Sequence, residues 1–126
     1  MTFIPYGRHH IDADDEAAVV AVLRSAFLTQ GPATQAFEAD LAAYVGAKYC
    51  AVVCNGTAAL HICMAAMDMG PGEGVTTPNT FVATANAMAY VGLTPVFADI
   101  DPATLNLSPT ATRAALTPQT RLIAPV

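Results

Sequence analysis

From residue 47 onward, short β-rich runs alternate with Ala-rich runs of helical length, and this alternation restricts the possible folds more than any other feature of the chain. CAVVC (50–54) reads as a strand and residues 57–68 as a helix. VTTP (75–78) reads as a short strand, TFVATANAMAYV (80–91) as a helix and PVFADI (95–100) as a strand. Residues 109–116 make a short helix, and RLIAPV (121–126) is a strand running to the last residue. Connections of a few residues between strand, helix and strand predict a parallel sheet covered by helices, with right-handed crossovers. Domains rarely stop on an uncovered central strand, so the 126 residues read as the N-terminal piece of a larger α/β protein.

Residues 1–46 have a different rhythm, an extended segment followed by two helices. Asp12 can cap a helix whose first turn carries Asp15 and Glu16, where the helix dipole favours anions. Val19, Val20, Leu23 and Phe27 recur at helical spacing, which predicts a helix over 13–26. LTQGP (28–32) breaks it. Pro32 suits the first position of a second helix, Phe37, Leu41, Tyr44 and Val45 form its apolar stripe, and Gly46 is a natural stop. The chain thus divides into residues 1–46 and residues 47–126, the latter the start of an α/β domain.

Composition excludes several function classes. The net charge of −5, without a basic patch, argues against a nucleic-acid partner. No apolar run reaches the ~18–20 residues of a membrane span. MTFIPYGRHHID lacks the layout of a signal peptide, which favours the cytoplasm. Cys50, Cys54 and Cys63 are odd in number and form no CxxC pair, so neither a disulfide framework nor a zinc site is expected, and all three read as buried thiols. His9, His10 and His61 have no metal-binding spacing, and no metal is expected. His61 reads as a packed or surface residue. Asp99 and Asp101 lack a third ligand or partner acid, so a turn opened by Asp101 and Pro102 is preferred. Met64, Met67 and Met69 read as helix packing. With 54% hydrophobic and only 12% charged residues, the chain is too apolar to stand alone, and it should bury surface against another subunit or more chain.

CNGTAALHICM (54–64) raises the functional question. Asn55 and Gly56 interrupt two apolar runs, and Thr57 follows with a hydroxyl. Asn-Gly is a strong hairpin signal, but TAALHICMAAM is too long and too Ala-rich for a returning strand. The other reading is a phosphate cradle beyond a strand end: glycine lets a ligand approach, the first helical N–H groups lack partners, and the dipole is positive there. Pattern alone leaves both open. The absence of GK[ST] excludes the longer phosphate loop of nucleotide triphosphatases.

LTQGP, NGTAALH, GPGEGVTTPNTFVATANAMAYVG, TPVFADIDP and RLIAPV occur in this order, and together they resemble the nucleotide-sugar aminotransferases, pyridoxal-phosphate enzymes of fold type I. IPYGRHHIDADD and VLRSAFLTQGP look most like the branch that aminates UDP-linked 4-keto-6-deoxy amino sugars on the route to pseudaminic acid. The resemblance covers essentially the whole chain. It implies the N-terminal part of that family's α/β large domain, a mostly parallel sheet with helices on both faces.

It further implies that Gly56, Thr57 and Ala58 hold the phosphate of pyridoxal 5'-phosphate and that Phe81 stacks on its ring. Without the family, Phe81 would read as an ordinary core aromatic. Tyr6 and the stretch Ala26, Phe27, Leu28 and Thr29 correspond to segments lining the sugar-nucleotide site. The implied partners are a UDP-linked keto amino sugar, an amino acid donor, glutamate by analogy, and a second copy of the chain in a homodimer. The family's reactive lysine, and the aspartate facing the pyridine nitrogen, belong to segments beyond Val126, so no catalytic residue is expected here. The single lysine, Lys48, starts the CAVVC run, about 20 Å from its far end at ~3.3 Å per residue, and reads as solvated. Alternatives are a sugar dehydratase of the same family, with histidine replacing the lysine, and a non-catalytic phosphate-binding fragment. GPGEGVTTP is one residue shorter than the family's usual stretch, so an altered short edge strand is expected at 74–77.

Overall fold

The computed structural model describes residues 7–126, which divide into two compact units with the boundary between Val52 and Val53. In the first unit, helix α1 (Ala13–Leu23) starts at Asp12. The Asp12 carboxylate accepts the N–H groups of Asp14 and Asp15 at 3.0 and 3.1 Å, and the Asp12 N–H donates back to Asp15 Oδ2 at 3.1 Å. This reciprocal box satisfies donors that the first turn leaves open. The helix ends at Leu23, short of the expected 26. The Ser25 hydroxyl donates to the Val22 carbonyl at 2.8 Å and accepts the Phe27 N–H at 3.3 Å, turning the chain before Phe27 can join the helix. Helix α2 (Pro32–Val45) has proline in its first turn, and Gly46 ends it in the left-handed conformation, φ 69°. Neither helix fully buries a side chain, and Val19, Leu23, Phe37 and Tyr44 all lie exposed.

CAVVC does not form the expected strand. Residues 50–53 carry no regular structure, and the Val52 N–H donates to Glu38 Oε1 at 2.9 Å. A strand is defined by a neighbour's hydrogen bonds, and the three described strands pair only with one another.

In the second unit, helix α3 (Gly56–Ala66) precedes strand β1 (Gly72–Thr76), helix α4 (Ala83–Tyr90), strand β2 (Leu93–Phe97), helix α5 (Pro109–Ala115) and strand β3 (Thr120–Ile123). The sheet is parallel throughout, in the order β2-β1-β3, with Val75 opposite both Val96 and Ile123. The strand expected at an edge is therefore the central one of the three. Its second half, residues 74–76, is buried. A Cβ on Gly74 would meet Met88 Sδ of α4 at 2.7 Å, so that face of β1 lies against α4. Val75 points the other way and is also fully buried, so both faces of β1 are covered.

β3 stops at Ile123, three residues before the expected end. Ala124 still donates to the Val75 carbonyl at 2.9 Å, but Pro125 has no N–H to continue, and the Val126 carbonyl accepts from Leu107 at 2.8 Å instead.

The core consists of Met64, Ala87, Met88 and Leu93, with Met69, Val91, Leu122 and Ala124 packed against it. Met64 and Met69 pack as expected, whereas Met67 is 53% exposed. Nor are the thiols buried: Cys54 and Cys63 are exposed and Cys50 is half-buried. α3 is apolar nearly all round, but its neighbours cover only the Met64 side, and Ile62, Cys63 and Met67 stay outside.

Candidate functional site

Asn55 caps α3. Its backbone is extended, φ −168° and ψ 171°, and its Oδ1 accepts the Ala58 N–H at 2.8 Å. The Ala59 N–H donates to the Asn55 carbonyl at 3.1 Å. Among the described residues, the N–H groups of Gly56 and Thr57 and the Thr57 hydroxyl have no intramolecular acceptor. Of the three residues implied to hold a phosphate, Gly56 and Thr57 therefore present open donors, while the Ala58 N–H is engaged by the cap. No heavy atom of the fold lies within 4 Å of a Cβ built on Gly56, so the approach is open.

The first turn of α3 carries no acidic residue, whereas that of α1 carries Asp14, Asp15 and Glu16. The positive end of the α3 dipole is thus not neutralised from within, as that of α1 is. The chemistry of this end, two backbone N–H groups and a hydroxyl at a helix start, suits a phosphate dianion.

Phe81 lies on the connection from β1 to α4 and is 74% exposed, not a core aromatic. Its carbonyl accepts the Thr84 N–H at 3.1 Å, and beside it the Thr80 and Thr84 hydroxyls are 3.1 Å apart. α3 and α4 pack together with their later turns adjacent: the rings of His61 and Tyr90 meet edge to face at 5.2 Å, and Met64 lies with Met88. The connection from β1 to α4, and Phe81 on it, lies at the carboxyl end of the strands, where open parallel sheets bind ligands.

The acidic pair after β2 builds a loop at the same end. Asp101 Oδ1 accepts the N–H groups of Ala103 and Thr104 at 2.8 and 3.3 Å, the turn role expected of it. Asp99 Oδ1 accepts the Ile100 N–H at 2.8 Å. Leu105 is left-handed, φ 63°, and its carbonyl accepts from Asn79 Nδ2 at 3.2 Å. Asn79 did not stand out in the sequence, and no local pattern joins it to a partner 26 residues away. The cap at Asn55 is likewise absent from the sequence expectations, though an Asn directly before a helix start is the signal that could have found it.

The remaining site residues lie elsewhere. Tyr6 falls outside the described residues. Ala26, Phe27, Leu28 and Thr29 form an exposed loop of the first unit, between α1 and α2. Gly31 lets that loop fold back, since a Cβ there would come within 2.9 Å of Phe27 Cβ. Lys48 is exposed, its Nζ 5.0 Å from the centre of the Tyr49 ring. His61 is a surface residue. No helix among the described residues is long and apolar enough to cross a membrane.

Known proteins resemble the chain along nearly its full length. It is 45% identical over 125 residues to the spore coat polysaccharide biosynthesis protein SpsC of Bacillus subtilis, covering 98% of this chain and 32% of the relative. It is 47% identical over 112 residues to the UDP-2-acetamido-2-deoxy-3-oxo-D-glucuronate aminotransferase of Pseudomonas aeruginosa, covering 88% and 31%. The structure of Helicobacter pylori PseC, an aminotransferase involved in pseudaminic acid biosynthesis, superimposes with a TM-score of 0.87 at 34% identity, covering 96% of this chain and 33% of that one. The chain spans about a third of the length of these relatives. The α/β fold expected from the sequence is thus the fold of known sugar aminotransferases, whose family depends on pyridoxal 5'-phosphate. Matched over residues 9–126, the chain belongs to the DegT/DnrJ/EryC1/StrS aminotransferase family.

Proposed function

We propose that these residues supply the phosphate-binding and ring-stacking part of a pyridoxal-phosphate site in a sugar aminotransferase. The observation that carries this is the open start of α3: two N–H groups and a Thr57 hydroxyl without an acceptor among the described residues, and no acid in the first turn. Gly56 and Thr57 hold the phosphate through backbone donors, and the Thr57 hydroxyl adds a third. The Ala58 N–H joins them only if the Asn55 side chain turns away from its 2.8 Å bond. Phe81 lies flat on the pyridine ring, where it gains dispersion and excludes water from one face. Together the two contacts would hold the cofactor's phosphate and its ring. When bound, the cofactor supplies an electron sink and a carrier for the amino group. The lysine that moves the proton is supplied by another segment of the family's chain.

The acceptor in this proposal is a nucleotide-linked keto sugar, with UDP as nucleotide and an amino acid such as glutamate as donor, in a cytoplasmic homodimer. Ala26, Phe27, Leu28 and Thr29, with Tyr6, are the residues proposed to contact the sugar nucleotide. A 4-keto-6-deoxy sugar on the way to pseudaminic acid is the favoured acceptor, supported by the likeness to PseC. The Pseudomonas relative, which is named for a 3-oxo sugar, sets the comparison to make. Supplying the whole protein with glutamate and either UDP-linked substrate, and following the amino sugar by mass spectrometry, decides between ring positions.

The cofactor assignment is tested by titrating the chain with pyridoxal phosphate and with pyridoxal. Phosphate-dependent binding is expected. Thr57→Ala should weaken it by about 1–2 kcal/mol, the loss of one charge-assisted hydrogen bond. An unchanged dissociation constant would overturn the assignment.

A further inference from the structure

Phe81 is 74% exposed, so packing does not fix its ring. What fixes its backbone lies to either side. On the helix side, the Thr80 and Thr84 hydroxyls are 3.1 Å apart and the Phe81 carbonyl accepts the Thr84 N–H. On the strand side, Asn79 is held twice: its N–H donates to Thr77 Oγ1 at 3.3 Å, and its Nδ2 donates to the Leu105 carbonyl at 3.2 Å.

The Leu105 carbonyl is itself presented by a costly conformation. A leucine at φ 63° is disfavoured by its Cβ and persists only where its surroundings impose it. They do so here. The Leu105 N–H donates to the Asp101 carbonyl at 2.7 Å, the Asp101 N–H donates to the Asn106 carbonyl at 2.9 Å, and Asp101 Oδ1 holds Ala103 and Thr104. Ile100 and Leu107 bridge the base of the loop, and the Ser108 N–H donates to the Asp99 carbonyl at 3.0 Å. The result is a braced loop after β2 whose strained residue offers its carbonyl to the loop after β1, two residues before Phe81.

We propose that Asn79 is a positioning residue: its bond to the Leu105 carbonyl clamps the β1–α4 loop to the braced loop and so holds Phe81 where its ring meets a flat cofactor. This rests on the stacking role proposed for Phe81. It assigns a purpose to the Asp99–Asp101 pair and to the left-handed Leu105, neither of which the cofactor contacts themselves require.

The chain has no tryptophan, so Phe81→Trp places a single indole at the end of the clamp. In that background Asn79→Ala should lower the anisotropy of the indole and raise its quenching by acrylamide. Asn79→Gln, which keeps the amide donor, should restore part of the difference. Leu105→Gly keeps the left-handed conformation and should leave the readings unchanged. Leu105→Pro forbids that conformation, should match Asn79→Ala, and should add nothing to it in the double variant. With Phe81 in place, Asn79→Ala should weaken pyridoxal-phosphate binding about three- to tenfold, the range for one lost hydrogen bond, and reduce the dichroism induced in the bound cofactor. Binding of inorganic phosphate at the α3 start should not change. Equal anisotropy and quenching with and without Asn79→Ala would overturn the clamp. If the unsubstituted chain bound no cofactor, the functional reading would fall instead, and the clamp would stand or fall on the indole measurements.

Discussion

Asn55 Oδ1 accepts the Ala58 N–H at 2.8 Å, and this one bond sets which donors at the start of α3 stay open. It satisfies a donor that the helix cannot and leaves the Gly56 and Thr57 N–H groups facing outward. The cap and the anion site thus share one turn of backbone, and substitutions at Asn55 should separate their contributions.

Asn55→Ala removes the cap and should cost about 1 kcal/mol of stability. Asn55→Asp keeps an equally good cap, so the unfolding midpoint should hold. It also puts a negative charge beside the proposed phosphate, and at separations of a few ångströms the repulsion should weaken phosphate binding on the order of tenfold. Denaturant unfolding and phosphate titration of the two variants check the split. An Asn55→Asp chain that binds phosphate as well as the unsubstituted one would argue against an anion at this turn.

Gly74→Ala should destabilise the second unit by about 1–3 kcal/mol. The added Cβ would meet Met88 Sδ at 2.7 Å and Cγ at 3.1 Å, and Met88 is fully buried with nowhere to retreat. Pairing the change with Met88→Ala, which opens space at the same place, should recover part of the loss relative to additivity. Thermal unfolding of the two single variants and the double variant measures it.

Lys48 should not trap the cofactor specifically. It is the chain's single lysine, it is exposed, and its Nζ lies over the Tyr49 ring. After addition of pyridoxal phosphate and reduction with borohydride, mass spectrometry should find Lys48 labelled no faster than a solvent lysine. Stoichiometric labelling there, together with amino transfer by the chain alone, would contradict the proposed division of labour.

The chain by itself should bind a hydrophobic dye and self-associate. Val19, Leu23, Phe37 and Tyr44 on α1 and α2 are exposed, as are Ile62, Phe97 and Ile123 in the second unit. Such surface is more than a stable monomer leaves open. Light scattering and dye fluorescence test this, and a dye-negative monomer is the contrary outcome.

The sequence by itself determined several features that close within about four residues. Asp12 with Asp15, Pro32, Gly46 and the turn at Asp101 each act through hydrogen bonds or backbone limits that neighbours supply, and each appears where its residue type predicts. The alternation of strand and helix, and the parallel sheet it predicts, follow from the residue pattern. Only the tertiary structure decided which extended run finds a partner. CAVVC has ample β propensity but no neighbour, while the stretch expected at an edge, 74–77, lies through Thr76 in β1, between two strands. The tertiary structure also chose which methionines of a uniformly apolar helix end are covered, and it joined Asn79 to Leu105 and Thr76 Oγ1 to the Ala124 carbonyl. Those bonds span 26 and 48 residues. Propensity cannot encode them, because their formation depends on where the rest of the chain has already placed the acceptor.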